Sequence, residues 1–182
     1  LKVLQLYDTL NVRFGVMLVG PTGSRKSSCY RSLQRAMTQL HSSGSSNAEM
    51  QTVHTFVLNP KSISLGELYG EFNALTQEWT DGIASTFIRQ AVTLTGDSDD
   101  FQWVIFDGPV DAIWIESMNT VLDDNKKLCL NSGEIIKMSA MTRMMFEPED
   151  LAVASPATVS RNGIVFLEPL KLGWACLMDS WI

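Results

Sequence analysis

The chain has 182 residues, of which 45% are hydrophobic and 19% are charged, so it is long enough to bury a core and is neither disordered nor collagen-like. Fourteen basic and twenty acidic residues give a formal net charge of -6. No overall positive field favours nucleic acid or an anionic membrane, and any phosphate binding must be local.

The cysteines and the ends of the chain predict its class. Cys29, Cys129 and Cys176 are too few and too scattered for a disulfide framework or a zinc site. The sequence has no signal-peptide pattern and no apolar run of about 18 residues, so we expect a soluble, intracellular protein. It ends inside an amphipathic stretch, 172–182, and we expect it to be a piece of a larger chain.

The predicted elements alternate along the first half of the chain. Apolar spacing predicts a helix over residues 1–12, a buried strand over 14–19 and a second helix over 27–40. The Ser- and Gly-rich stretch 41–50 predicts a flexible loop within one domain. A second strand follows at 53–58.

Two more helices precede the third strand. A short helix is predicted over 64–72 with Phe72 turned inward, and Asp81 is expected to cap a further helix that carries Ile83.

The second half continues the alternation. Residues 103–107 form a third strand that ends in Asp107, and a helix is predicted through 113–121. The remaining strands are predicted at 128–130 and 135–138 as a hairpin, and at 143–146 and 164–167 as the fourth and fifth core strands. Strands that alternate with helices predict a parallel, doubly wound α/β sheet flanked by helices.

A phosphate-binding loop joins the first strand to the second helix. The pattern G-x-x-x-x-G-K-[ST] uses glycines to let backbone N–H groups approach a phosphate, a lysine for the outer phosphates and a hydroxyl for Mg²⁺. Lys26 and Ser27 are in register for the last two functions. The candidate nucleotide-binding residues are Gly20, Pro21, Thr22, Gly23, Ser24, Arg25, Lys26, Ser27 and Ser28.

Arg25 stands where the pattern has glycine. If that position has a positive φ, a residue with a Cβ costs about 1–2 kcal/mol, and its side chain also crowds the phosphate. A guanidinium can instead add charge-assisted contacts to a phosphate. Two alternatives follow: the loop holds ATP or ADP with Mg²⁺, or Arg25 keeps the loop free of nucleotide.

Asp107 fits the carboxylate that holds hydrated Mg²⁺, so Ser27 and Asp107 are the candidate metal residues. Hydrolysing members of this broad ATPase class place a Glu directly after that Asp, and here the position is Gly108. Asp111 stands at the start of a predicted helix, where its negative charge is expected to interact favourably with the helix dipole. The sequence therefore favours nucleotide binding over hydrolysis.

Several long stretches resemble the AAA+ modules of dynein heavy chains, particularly the second module of the motor ring in axonemal dyneins. They are 20–24, 58–63 with 67–72, 78–82, 106–119 and 154–161. The resemblance implies one large α/β subdomain of a P-loop NTPase over 1–182, with a five-stranded sheet in the order 5-1-4-3-2. It also implies a small helical lid subdomain after residue 182.

The resemblance further implies an ATP-binding regulatory module, without hydrolysis of its own, in a minus-end-directed microtubule motor. Arg161 corresponds to an arginine finger that acts in trans on the preceding module, although by its sequence alone a surface arginine is the favoured interpretation. Glu147 stands where a polar sensor is usual and is at best an atypical one.

The implied partners are neighbouring AAA+ modules of the same chain, microtubules, and dynein intermediate and light chains, without nucleic acid or membrane. The implied location is the cytoplasm and cytoskeleton, in the axoneme of a cilium or flagellum. Two alternatives stay open: a nucleotide-free structural module, and an independent P-loop ATPase or kinase.

Overall fold

The computed structural model describes residues 1–169 and 178, and the predicted amphipathic stretch 172–182 lies outside them apart from Met178. The helices are α1 (Lys2–Val12), α2 (Lys26–Ser42), α3 (Leu65–Tyr69), α4 (Ile83–Asp97), α5 (Ala112–Glu116), α6 (Asn119–Leu122) and α7 (Pro156–Arg161). The strands are β1 (Gly15–Val19), β2 (Val53–Leu58), β3 (Gly70–Phe72), β4 (Trp79–Asp81), β5 (Phe101–Phe106), β6 (Lys127–Cys129), β7 (Ile135–Lys137), β8 (Thr142–Phe146) and β9 (Gly163–Phe166).

Five strands form the central sheet in the order β2-β5-β8-β1-β9, and every pairing is parallel. In chain order of the core strands this is the predicted 5-1-4-3-2 arrangement, which is confirmed. Strand β1, next to the central strand β8, is buried along its whole length, because helices cover both faces of the sheet. That is why β1 is a continuous apolar run in the sequence.

The core lies in two clusters, one on each face of the sheet. Val16 and Leu18 of β1 pack with apolar residues of α1 and α2. Met17 and Val19 belong to the other cluster, which includes residues of α4, α5 and α6. Successive side chains of a strand point to opposite faces, so β1 contributes to both clusters. Within the described part of the chain, no helix is long and apolar enough to cross a bilayer.

Two antiparallel hairpins stand apart from the central sheet. The predicted one pairs β6 with β7 and is confirmed. The other pairs β3 with β4, and the sequence analysis did not predict it. The helix predicted over 64–72 was too long: α3 ends at Tyr69 because Gly70 takes φ 109°. Phe72 is therefore not inward but 48% exposed, and its ring packs edge-on against Trp79.

The prediction that Asp81 caps a helix was also wrong. Gly82 is the N-cap residue of α4, and Asp81 belongs to β4. The Asp81 carboxylate instead accepts hydrogen bonds from Arg89 at 3.0 and 3.1 Å. Arg89 also donates to Glu134 at 2.7 Å, so one guanidinium ties the two hairpins together.

The helix predicted through 113–121 is divided into α5 and α6. Asp111 is the N-cap residue of α5 and accepts hydrogen bonds from the N–H groups of Ile113 and Trp114 at 2.9 and 3.1 Å. It also forms an ion pair with Lys61. The Asp111 side chain thus interacts with the start of α5, as predicted.

We expect Asp111→Ala to lower the free energy of unfolding by about 1 kcal/mol at neutral pH, because it removes the cap of α5 and the partner of Lys61. The hydrogen bond from Lys61 lowers the pKa of Asp111. A carboxyl group whose pKa is lowered in the folded protein stabilises the fold at pH values above its unfolded-state pKa. This stabilisation is lost as the pH falls through the folded-state pKa. Urea unfolding should therefore show the wild type and variant converging below about pH 4.

Asp111→Asn is the matched control, since asparagine also caps helices but cannot pair with Lys61 as an ion. It should lose less stability than the alanine variant. Equal stability of wild type and Asp111→Ala at pH 7 would contradict this assignment.

Candidate functional site

The strand order brings three separated parts of the chain to one edge of the sheet. β8 lies between β1 and β5, so the loop after β1, Glu147 after β8 and Asp107 after β5 are neighbours. Backbone hydrogen bonds continue past the strand ends, from Glu147 N to Phe106 O at 2.9 Å and from Gly20 N to Pro148 O at 3.3 Å. Parallel α/β sheets bind ligands at this edge.

A cavity of about 360 Å³ opens at that edge. Its lining combines six loop residues with the two carboxylates: Thr22, Gly23, Arg25, Lys26, Ser27, Ser28, Asp107 and Glu147. The structure thus brings together both predicted metal residues and most of the predicted nucleotide residues. Gly20, Pro21 and Ser24 support the loop without lining the cavity. The volume lies in the range of small-molecule sites.

Two residues of the loop have positive φ. Gly23 takes φ 84° and Arg25 takes φ 64° with ψ 32°, in the left-handed region. Arg25 is also the N-cap residue of α2, so its conformation turns the chain from the loop into the helix. The position occupied by Arg25 therefore has the geometry for which the usual glycine is suited, and its Cβ costs about 1–2 kcal/mol there.

Gly20 is constrained by space. A Cβ at this position would lie 2.3 Å from the carbonyl oxygen of Leu167 and 2.7 Å from Ser24 Oγ. Because β9 and the loop approach so closely, only glycine fits at the start of the loop.

Lys26 closes the loop from inside. Its ammonium donates to the carbonyl oxygens of Gly20 at 2.5 Å and Pro21 at 3.3 Å. Lys26, Ser27 and Ser28 are the first residues of α2, a helix of 17 residues whose N–H dipoles favour an anion at this end. The loop and helix start can therefore hold phosphate, with Lys26 as the nearby cation.

Ser27 makes a contact that was not predicted. Its hydroxyl donates to Glu147 Oε2 at 2.7 Å. Glu147 is only 3% exposed, and burial, with the charge of Asp107 as a smaller contribution, raises the pKa of its carboxyl group. The signal in the sequence is topological: the residue after the fourth strand must lie between the loop and Asp107 in a 5-1-4-3-2 sheet.

The donors present fit a hard divalent cation. A serine hydroxyl and two carboxylates are oxygen ligands of the kind that Mg²⁺ prefers, and Mg²⁺ usually keeps several waters and takes few protein ligands. Consistently, the described residues contain no group of three or more His, Cys, Asp or Glu side chains that could enclose a metal by themselves.

The turn that follows Asp107 has little room for a side chain at Gly108. A Cβ at Gly108 would lie 2.9 Å from Asn59 Oδ1 and 3.2 Å from Pro60 Cδ, so the turn leaves little room for a side chain. The loop after β2 therefore favours a glycine where a general base is usual.

Arg161 lies away from this cavity, at the end of α7. Its Nε donates to Asp123 in an ion pair, and its Nη1 donates to the carbonyl oxygen of Ala157 at 2.9 Å. The side chain is 31% exposed. Its guanidinium is thus held at the surface by residues of its own chain, outside the site formed by the loop.

The comparisons with known proteins agree with this geometry. The family model described as AAA domain (dynein-related subfamily) matches residues 15–162. The chain is 62% identical over 182 residues to dynein axonemal heavy chain 1 of Homo sapiens and 55% identical over 181 residues to dynein axonemal heavy chain 6 of Homo sapiens. It is 51% identical over 182 residues to dynein axonemal heavy chain 3 of Mus musculus.

Each of these alignments covers 100% of this chain but only 4% of the relative. All three relatives are axonemal by name, in agreement with the predicted place in the axoneme of a cilium or flagellum. The family match spans the loop, Asp107, Glu147 and Arg161, together with four of the five core strands, and it ends just before β9. The chain belongs to the dynein-related subfamily of AAA domains.

Proposed function

We propose that this chain is an ATP-binding, non-hydrolysing regulatory module, the second AAA+ module of an axonemal dynein motor. The observation that carries the proposal is one cavity lined by Lys26, Ser27 and Asp107, with Gly108 following Asp107. Residues 1–182 would be its large α/β subdomain, with a helical lid after them. The motor would move toward microtubule minus ends, together with intermediate and light chains.

Nucleotide binding is supported by the chemistry of the loop. The α2 N-terminus and Lys26 supply positive charge for phosphates, while Ser27 and Asp107 supply oxygen atoms for Mg²⁺. When bound, the metal would neutralise phosphate charge. Lys26 would exchange its hydrogen bonds with the loop carbonyls for contacts to the outer phosphates.

The absence of hydrolysis is supported by Gly108. Activation of water needs a base within hydrogen-bond reach of it. Asp111, a carboxylate close to this turn, is engaged by Lys61 and by two N–H groups of α5. Glu147, the second carboxylate of the cavity, accepts the hydroxyl proton of Ser27 with its Oε2. The module would therefore hold ATP or ADP and respond to its neighbours without turning nucleotide over.

Arg161 is proposed as the finger for the preceding module. It lies outside its own cavity and at the surface, as a group that acts on another module must. Its ion pair with Asp123 would orient the guanidinium before contact. A finger of this kind stabilises charge on the transferred phosphoryl group.

Calorimetry with Mg·ATP tests nucleotide binding and the effect of Arg25. The positive φ belongs to the backbone turn that joins the loop to α2, so we expect its cost to reduce stability more than affinity. We expect the wild type to bind with a Kd below millimolar. Arg25→Gly should change that Kd by less than about tenfold while raising the free energy of unfolding by about 1 kcal/mol.

Arg25→Ala is the matched control, because it removes the guanidinium but keeps the cost of the Cβ. Only the glycine variant should gain stability. Undetectable binding in the wild type, restored by Arg25→Gly, would overturn the proposal.

That same outcome would favour the second candidate, a nucleotide-free structural module that transmits movements of the ring. The observation in its favour is the left-handed Arg25 at the mouth of the cavity. An independent ATPase or kinase predicts turnover by this chain alone, lost in Lys26→Ala. No turnover would exclude it.

A further inference from the structure

Glu147 is a buried carboxylate that the proposed function does not use. It directly follows β8, is 3% exposed and lines the cavity. Its Oε1 is buried and has no hydrogen-bond partner in the described structure. Buried polar atoms are rarely left unpaired, because the lost hydration costs free energy. An unpaired carboxylate oxygen of a residue that lines a cavity is available to a ligand.

The other oxygen of Glu147 controls a predicted metal residue. Oε2 accepts the hydroxyl proton of Ser27 at 2.7 Å. A serine hydroxyl has one proton and two lone pairs, so donation to Glu147 leaves the lone pairs of Oγ for a cation. The contact therefore fixes the orientation in which Ser27 can act as a metal ligand.

Asp107 contributes a second carboxylate to the same cavity, from the adjacent strand end. The two acidic groups repel each other, and the charges of Lys26 and Arg31 act in the opposite direction. Two carboxylates beside a phosphate loop oppose the binding of a phosphate group without a counter-ion. A divalent cation would satisfy both carboxylates and the phosphate at once.

We propose that Glu147 is a positioning residue of a divalent-cation site, orienting Ser27 and adding a second carboxylate to Asp107. The inference rests on the proposed nucleotide site. The ligand chemistry is that of Mg²⁺ or Mn²⁺ with a nucleoside phosphate, since the groups available are all oxygen donors. Much of the contact to a hydrated Mg²⁺ would run through its waters.

Glu147→Gln in the full-length protein that contains this chain tests the proposal. The variant should weaken Mn²⁺ binding at one site by about tenfold or more, measured by electron paramagnetic resonance titration in the presence of ADP. The variant should also increase the amount of ADP retained after desalting in EDTA, which removes the cation. The reason is that the Glu147 carboxylate, which repels the phosphates of ADP, has been replaced by a neutral amide. A residue that acts on the cation should produce these opposite changes. A residue that only supports packing should, when replaced, weaken both Mn²⁺ binding and ADP retention.

Glu149→Gln is the matched control, since Glu149 is exposed two residues further on and carries the same charge. It should leave both measurements within twofold of the wild type. Mn²⁺ affinity within twofold of the wild type in Glu147→Gln, or a parallel loss of Mn²⁺ and metal-free ADP, would overturn the proposal.

Glu147→Asp keeps a carboxylate and guards against a folding defect, monitored by thermal unfolding in EDTA without nucleotide. It should retain more Mn²⁺ affinity than Glu147→Gln, and an equal loss in the two would overturn the proposal. Lys26→Ala distinguishes a wrong inference about Glu147 from a wrong assignment of the nucleotide site itself. An unchanged nucleotide count in Lys26→Ala would overturn both, whereas a loss of one nucleotide there with wild-type behaviour in Glu147→Gln would overturn only the Glu147 inference.

Discussion

Replacing Arg161 by alanine in the full-length protein should slow ATP hydrolysis by the preceding module about a thousandfold, while this module keeps its own nucleotide. An arginine finger is worth about 10³–10⁵ in kcat because it stabilises charge on the phosphoryl group in the transition state. Arg161 does not line its own cavity, so occupancy there should not change. Steady-state ATPase activity and the count of bound nucleotide measure the two effects separately.

The ion pair with Asp123 provides the control for this experiment. If Arg161 only stabilises the fold, its loss acts by leaving Asp123 without its partner, and Asp123→Ala should have the same effect on ATPase activity. If Arg161 is a finger, Asp123→Ala keeps the guanidinium and should reduce the rate far less. Wild-type ATPase activity in Arg161→Ala would remove the finger assignment.

Lys26→Ala should remove the nucleotide from this module. The ammonium now bonded to the loop carbonyls is the cation nearest to the proposed phosphates, and a charge-assisted hydrogen bond is worth about 1.5–3 kcal/mol. Loss of one or two such bonds weakens binding by about 10-fold to 10⁴-fold. Chromatography of nucleotide released by denaturing the desalted, full-length protein should show one fewer per chain.

Lys26 also holds the loop, so the variant needs a structural control. Lys26→Arg keeps the charge and can still donate to the carbonyls of Gly20 and Pro21, and it should retain more nucleotide than Lys26→Ala. Thermal unfolding without nucleotide should differ little among the three proteins. An unchanged nucleotide count in Lys26→Ala would show that this cavity does not hold the nucleotide.

The elements predicted with the fewest errors are those whose side chains have a periodic pattern. The inner strands β1, β5 and β8 are largely buried on both faces, and their apolar residues mark them in the sequence. The errors occur where a single backbone angle, or a contact with another residue, determines the local structure. Gly70 ends α3 early through its positive φ. Asp81 lies in β4 and pairs with Arg89, while Gly82 is the N-cap residue of α4. Neither effect has a periodic signal.

The sequence by itself determined the glycine-containing loop after β1, the carboxylate that follows β5 and the parallel sheet that joins them, because each depends on local residue types and on the chirality of parallel strand connections. It also determined that Gly108 carries no carboxylate. Only the tertiary structure decided which groups meet across the cavity. Ser27 and Glu147 are far apart in the chain, and their hydrogen bond exists because β8 lies between β1 and β5. The ion pair of Arg161 with Asp123 is likewise a contact that the packing of distant segments creates.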